Sequence, residues 1–75
     1  MSIYANAADM KELGEYRGFV RSVRDNNGLL ADDVIAKFLK ITSTTIQNIR
    51  YVINDHPEWD DEDVAEEVLN MEDDE

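Results

Sequence analysis

The chemistry of this chain is concentrated between residues 32 and 50, a stretch that predicts two short helices joined by a tight turn. The second helix carries an outward face of uncharged hydrogen-bonding side chains. Almost a quarter of the chain is Asp or Glu, yet this face has no acid. A solvated helix of such a protein would be expected to carry carboxylates there. Two helices arranged in this way are what a protein needs to lay a helix in a DNA groove.

A helical wheel at about 100° per residue separates the two faces of the second helix. Apolar side chains and one threonine fill the sector that must face the core: Thr45, Ile46, Ile49, Val52 and Ile53. Polar side chains fill the opposite sector: Ser43, Thr44, Gln47, Asn48, Tyr51 and Asn54. Arg50 lies on the border between the two sectors.

Catalytic chemistry has little support in the sequence. His56 is the only histidine, and Glu58, Asp60 and Asp61 follow it in a weak pattern for a divalent metal. No glycine-rich phosphate loop is present, and neither Ser22 nor Ser43 has the sequence context of a nucleophile. We therefore expect no enzymatic activity, no catalytic residues, no cofactor and no metal site.

The charge is divided unevenly along the chain. Residues 1–54 hold all seven Lys and Arg against six acids, a net charge of +1, whereas residues 55–75 hold twelve acids and no base. The net charge of −11 therefore belongs to the C-terminal quarter. An acidic protein normally repels a polyanion such as DNA, and here that repulsion applies to the C-terminal segment. There is no cysteine, no signal-peptide pattern and no run approaching the roughly 20 apolar residues that span a bilayer. These features predict a soluble cytoplasmic protein with no membrane partner.

Apolar periodicity and stop signals predict an all-α, compact four-helix domain with an acidic C-terminal helix. The predicted helices cover residues 8–25, 31–39, 43–54 and 60–70, between a loose N-terminal arm (1–7) and a frayed acidic end (71–75). Gly28 stops the first helix, Thr42 and Asp60 are predicted N-caps, and Trp59 is predicted to staple the fourth helix through Val64.

Two features of the first helix have two interpretations each. Gly14 and Gly18 share one face, which indicates either close approach of another helix or simply a weak helix. Arg17, Arg21 and Arg24 form either a modest basic strip or a solvated face paired with Glu12 and Asp25.

The middle segment resembles the helix-turn-helix motif of small bacterial and phage DNA-binding regulators. Ala36 matches the small residue at the helix crossing, and Thr42 and Ser43 match the polar start of the recognition helix. The apolar positions match in spacing at Ile35, Leu39, Ile41, Ile46 and Ile49. Lys40 departs from the pattern, because that turn usually has a glycine in a left-handed conformation. The resemblance covers about twenty of the 75 residues.

The resemblance implies a DNA-binding role for the third helix. Gln47 and Asn48 would face adenine edges, Ser43 and Thr44 would contact phosphate or bases, and Tyr51 would contact the backbone or a thymine methyl group. Lys37, Lys40 and Arg50 would contact phosphates. So few cations imply weak, salt-sensitive binding by a monomer, and therefore a dimer or a partner protein. The first or the fourth helix would supply a dimer contact.

The acidic C-terminal segment has three interpretations. It keeps a small protein soluble, or it folds over the basic border of the third helix and competes with DNA. In the third interpretation, residues 58–75 are themselves the functional surface, and the chain is an acidic adaptor or inhibitor that binds a basic protein, in the manner of DNA mimics. This third interpretation is the alternative function.

Overall fold

Four α-helices make up the part of the chain that the computed structural model describes, which is the backbone of residues 7–73 and the side chains of residues 10–72. They are α1 (Ala7–Asp25), α2 (Asp32–Leu39), α3 (Ser43–Asp55) and α4 (Asp61–Asp73). The predicted all-α class is confirmed. The predicted N-terminal arm, apart from residue 7, lies outside the described residues. None of these helices combines the length and apolar character needed to cross a bilayer.

The apolar stripes of all four helices meet in one core. α4 packs against α1 and α3, while α2 packs against α3 and, through fewer contacts, against α1. The core consists of Val20, Val23, Ile35, Ala36, Ile46, Ile49, Val52, Val64, Ala65 and Val68. Because α3 buries one face here and also contacts α2 and α4, its polar sector is fixed facing outward.

The end of α4 differs from the sequence expectation. The helix was predicted to stop at residue 70 and to fray after it, but it continues to Asp73. Met71 packs against the core, and the Glu72 carboxylate accepts hydrogen bonds from α1 and α3. These contacts hold the last turn, so at least residues 71–73 are not a frayed end. Residues 74 and 75 lie outside the described residues.

The turn between α2 and α3 runs from the C-cap of α2 to the N-cap of α3. Lys40 adopts φ 61° and ψ 42°, the left-handed conformation expected at this position. The Ile41 N–H donates to the Ala36 carbonyl oxygen at 2.9 Å, which closes the end of α2 as in a Schellman motif. Thr42 is confirmed as the N-cap of α3, because its Oγ1 accepts a hydrogen bond from the Thr45 N–H at 3.3 Å.

The predicted stop after α1 and the predicted N-cap of α4 are also present. Gly28 has φ +80° in the loop after α1, and the Asp60 carboxylate accepts from the Asp63 N–H at 2.9 Å. Trp59 is half-buried against the core cluster that contains Val64. A Cβ atom added to Gly14 or Gly18 would meet nothing within 4 Å. No helix of the described chain therefore approaches these glycines closely.

Candidate nucleic-acid interface

The outward face of α3 is open along most of its length. Thr44, Gln47 and Asn54 are exposed, Tyr51 is 65% exposed, and Ser43 is half-buried. Between residues 43 and 54 the helix contains no acid. The arrangement therefore presents hydroxyl, amide and phenol groups to whatever lies against it. Such groups can donate and accept hydrogen bonds without charge repulsion from a polyanion.

Asn48 lies at one edge of this face and is engaged by α4. Its Nδ2 donates to Glu72 Oε2 at 3.2 Å. The same carboxylate accepts from Thr45 Oγ1 at 3.0 Å and from the Tyr16 hydroxyl. The acidic C-terminal helix therefore does contact the polar side of α3, but at the Asn48 edge and not at the Arg50 border.

Arg50 lies at the opposite edge and is oriented by two internal partners. Its Nε donates to Asp32 Oδ1 at 2.6 Å, and its Nη1 donates to Asn27 Oδ1 at 2.8 Å. Both partners precede α3 in the chain, one in the loop after α1 and the other in the first turn of α2. The guanidinium that was predicted to contact phosphate thus joins α3 to these elements, and Nη2 is its one nitrogen without a partner among the described residues.

Lys37 and Lys40 are the exposed cations nearest to the start of α3. Both side chains are exposed, and neither makes an ion pair within the described part of the chain. They lie in the last turn of α2 and in the turn that follows, just before the N-terminus of α3. Their charges are therefore available to a phosphate.

The three arginines of α1 are committed elsewhere. Arg24 lies 3.4 Å from Asp61 and donates to the Trp59 carbonyl oxygen at 2.8 Å. Arg21 lies 3.6 Å from Asp61 and 4.0 Å from Asp25, and Arg17 lies 3.9 Å from Glu62. The predicted alternatives were a basic strip or pairing within α1, but most of the partners are the acids at the start of α4. We call the three arginines, together with the carboxylates that they face, the arginine seam.

In the loop between α3 and α4, the side chain of His56 packs against Trp59. The His56 and Trp59 rings stack with centroids 3.6 Å apart and planes 3° apart. His56 Nε2 also lies 3.3 Å from Asp55 Oδ2. Within the described residues, no group of three or more His, Asp or Glu side chains is placed to hold a metal ion.

An apolar strip on α2 faces away from the core. Phe38 is 84% exposed and Val34 is 48% exposed, and they are four residues apart on one side of the helix. Leu30, four residues before Val34, is also exposed. The helix therefore has a second apolar side that the rest of the described chain leaves uncovered.

Sequence reasoning missed two residues that shape this interface. Glu72 follows the buried Val68 by four residues, so the apolar stripe of α4 already placed position 72 on the inner face. Its acidic surroundings concealed this signal. Asp32 was interpreted only as a favourable charge at a helix N-terminus, and no local pattern indicates its pairing with Arg50, 18 residues later.

Comparisons with protein-family models, with curated proteins and with solved structures found no match to this chain.

Proposed function

We propose that this chain is a small helix-turn-helix regulatory protein that contacts DNA through α3, as a dimer or with a partner protein. One observation carries the proposal. The outward face of α3 stays open and free of acids in a chain of net charge −11. The turn before that face has a left-handed Lys40 and a Thr42 N-cap, which supports the resemblance to a helix-turn-helix motif. Such a face fits the major groove, which admits one α-helix.

Gln47 is the principal base-reading residue in this proposal. Its amide is exposed and can present a donor and an acceptor together, as an adenine edge requires. Asn48 has its Nδ2 occupied by Glu72, so it offers chiefly its Oδ1. Thr44 and Ser43 lie beside the N-terminus of α3, and Tyr51 extends the contact by one further turn.

The phosphate contacts are few. Lys37 and Lys40 supply two, and Arg50 supplies a third through Nη2. With three contacts per subunit, log K should fall with log salt at a slope of about −2.7. A monomer would then bind weakly at physiological salt, and a second DNA-contacting subunit would roughly double the slope.

The test is a titration of duplex DNA across salt concentrations with Gln47→Ala combined with Asn48→Ala. We expect specific binding to disappear while the circular dichroism spectrum stays that of the helical fold. Asn70→Ala is the matched control, because Asn70 is an exposed amide on α4 that is not among the residues proposed to contact DNA. Unchanged affinity in the double variant would reject the role of α3.

A second candidate function is supported by the outer side of α4. Asp63 and Glu66 are exposed and have no cationic partner within the described residues. An acidic adaptor or inhibitor would use them against a basic protein, as a DNA mimic does. The arginine seam weighs against this candidate, because Asp61 and Glu62 face the chain's own arginines.

Glu72→Gln separates the two candidates. The substitution removes a negative charge beside Asn48 and retains one acceptor oxygen for the neighbouring hydroxyls. If α3 contacts DNA, affinity should rise because repulsion of the polyanion falls. If the acidic end is the functional surface, DNA should not bind, and capture of a defined basic protein should weaken.

A further inference from the structure

A small cavity opens where the end of α1 faces the second half of α3. Its volume is about 270 Å³, somewhat below the range typical of sites for drug-sized ligands. The lining residues are Val23, Arg24, Asn27, Arg50, Ile53 and Asn54. Two of these are arginines and two are amides, and none is acidic, although 18 of the 75 residues are Asp or Glu.

Arg24 lines this cavity with a guanidinium that two partners already hold. Its Nη2 donates to the Trp59 carbonyl oxygen at 2.8 Å, and its Nη1 lies 3.4 Å from Asp61 Oδ1. Its Nε is buried and has no hydrogen-bond acceptor. Because Nε has almost no accessible surface, Arg24 would meet a ligand through the remaining N–H groups of Nη1 and Nη2.

Arg50 and the two amides offer further donors. Asp32 and the Asn27 oxygen hold Arg50 by Nε and Nη1, which leaves Nη2 without a partner in the described part of the chain. Because Asn27 accepts through Oδ1, its Nδ2 is available to donate. The Asn54 amide is exposed at the rim. The cavity thus combines two oriented guanidiniums with two amide donors.

The charge around the cavity is balanced and not strongly positive. Asp32 and Asp61 each pair with one of the two arginines, and neither lines the cavity. Recognition would therefore depend on directed hydrogen bonds more than on a long-range field. A tetrahedral phosphate, with several acceptor oxygens, matches such a set of donors better than a single carboxylate does.

We propose that this cavity, the Arg24–Arg50 pocket, binds a phosphate group. The group is supplied either by the DNA backbone, beside the C-terminal half of α3, or by a free phosphate compound. The inference deepens the proposed function, because it adds Arg24, Asn27 and Asn54 to the phosphate contact of Arg50. It requires neither Gln47 nor Asn48, so it can hold or fail separately from base recognition.

The test follows the arginine Nε–H signals by ¹H–¹⁵N NMR while inorganic phosphate is added at constant ionic strength. We expect the Arg24 and Arg50 signals to shift and to saturate, while those of Arg17 and Arg21 do not. Arg50→Lys should weaken phosphate binding at least about tenfold, because a charge-assisted hydrogen bond is lost. Arg21→Lys is the matched control, since Arg21 does not line the pocket.

Asn54→Ala provides a second variant that leaves every ion pair in place. It should weaken phosphate binding by about two- to tenfold, the effect of one neutral hydrogen bond. Absence of a saturable shift at Arg24 with either phosphate or duplex DNA would overturn the proposal. A response to acetate equal to that to phosphate would also overturn it.

Two further arms identify the source of the phosphate group. A short DNA duplex that shifts the Arg24 signal and is displaced by phosphate supports the backbone as the ligand. A response to phosphate alone supports a free phosphate compound. Repeating the phosphate titration with the Gln47→Ala, Asn48→Ala variant separates the two hypotheses, because the pocket should respond even where base recognition is lost.

Discussion

The arginine seam and the turn between α2 and α3 carry the same kind of charge and use it in opposite ways. In the seam, three arginines spaced along one helix lie within 4.0 Å of carboxylates, chiefly those of α4. At the turn, Lys37 and Lys40 stay exposed and unpaired among the described residues. The denser basic cluster is therefore the less available one.

The difference shows that cations available to a ligand must be counted after folding. Apart from the Arg21–Asp25 pair, the seam joins residues more than 35 positions apart, so the acids of α4 that neutralise it cannot be identified within any short window of sequence. Arg17 and Glu62 are both more than half exposed, and ion pairs of that kind contribute little to stability. The ion pairs of the seam mainly neutralise the positive charge of the α1 arginines. The buried apolar side chains of α4 hold that helix in place.

The largest expected effect comes from those buried apolar side chains. Leu69 is 2% exposed in α4, and Leu69→Ala should lower the free energy of unfolding by about 2–5 kcal/mol. That is a large share of the total of about 4–11 kcal/mol expected for a domain of this length. Urea denaturation measures the loss. A loss below about 1 kcal/mol would mean that the ion pairs, and not the buried side chains, dock this helix.

A substitution of intermediate effect separates the two properties of Lys40. Lys40→Gly should raise stability by about 0.5–1 kcal/mol, because glycine adopts the left-handed conformation without steric cost. The same substitution should reduce the salt slope of DNA binding by about 0.9, the contribution of one phosphate contact.

Lys37→Gly is the matched control for this substitution. It removes the same charge from within α2, where glycine should lower stability by about 0.5–1 kcal/mol. Equal stability changes in thermal unfolding of the two variants would show that Lys40 carries no conformational strain.

The smallest expected effect is on the seam itself. Asp61→Asn removes the carboxylate that faces both Arg21 and Arg24. We expect the stability to fall by less than about 1 kcal/mol. DNA affinity should rise because Arg24 loses its ion pair and Arg21 keeps only Asp25. Denaturation and a DNA titration check the two effects, and unchanged affinity would indicate that the seam lies away from the DNA.

Local patterns predicted the fold closely. The boundaries of α2 and α3 lie within one residue of the prediction, because the Thr42 N-cap and the apolar periodicity of the two helices are local signals. The polar and apolar sectors of α3 also followed from periodicity alone. In these cases the side chain and the feature it fixes lie within about one helical turn.

The candidate site was less accessible to sequence reasoning. Asn48 and Arg50 lie on the predicted face, but their partners Glu72 and Asp32 come from other helices. The Arg24 guanidinium of α1 is surrounded by the loop at Trp59 and by Asp61 of α4, and its Nε is left without a hydrogen-bond acceptor. Sequence periodicity does not predict such contacts, because they depend on how whole helices dock.

The single tryptophan gives this protein a built-in optical reporter. Trp59 stacks on His56 immediately after α3, and its carbonyl oxygen anchors Arg24 immediately before α4 begins. An imidazole ring stacked on an indole quenches its fluorescence, so emission from this one residue should brighten whenever the ring pair separates. Any ligand that loosens the loop between α3 and α4 should therefore increase the tryptophan fluorescence, and no added label is needed to detect it.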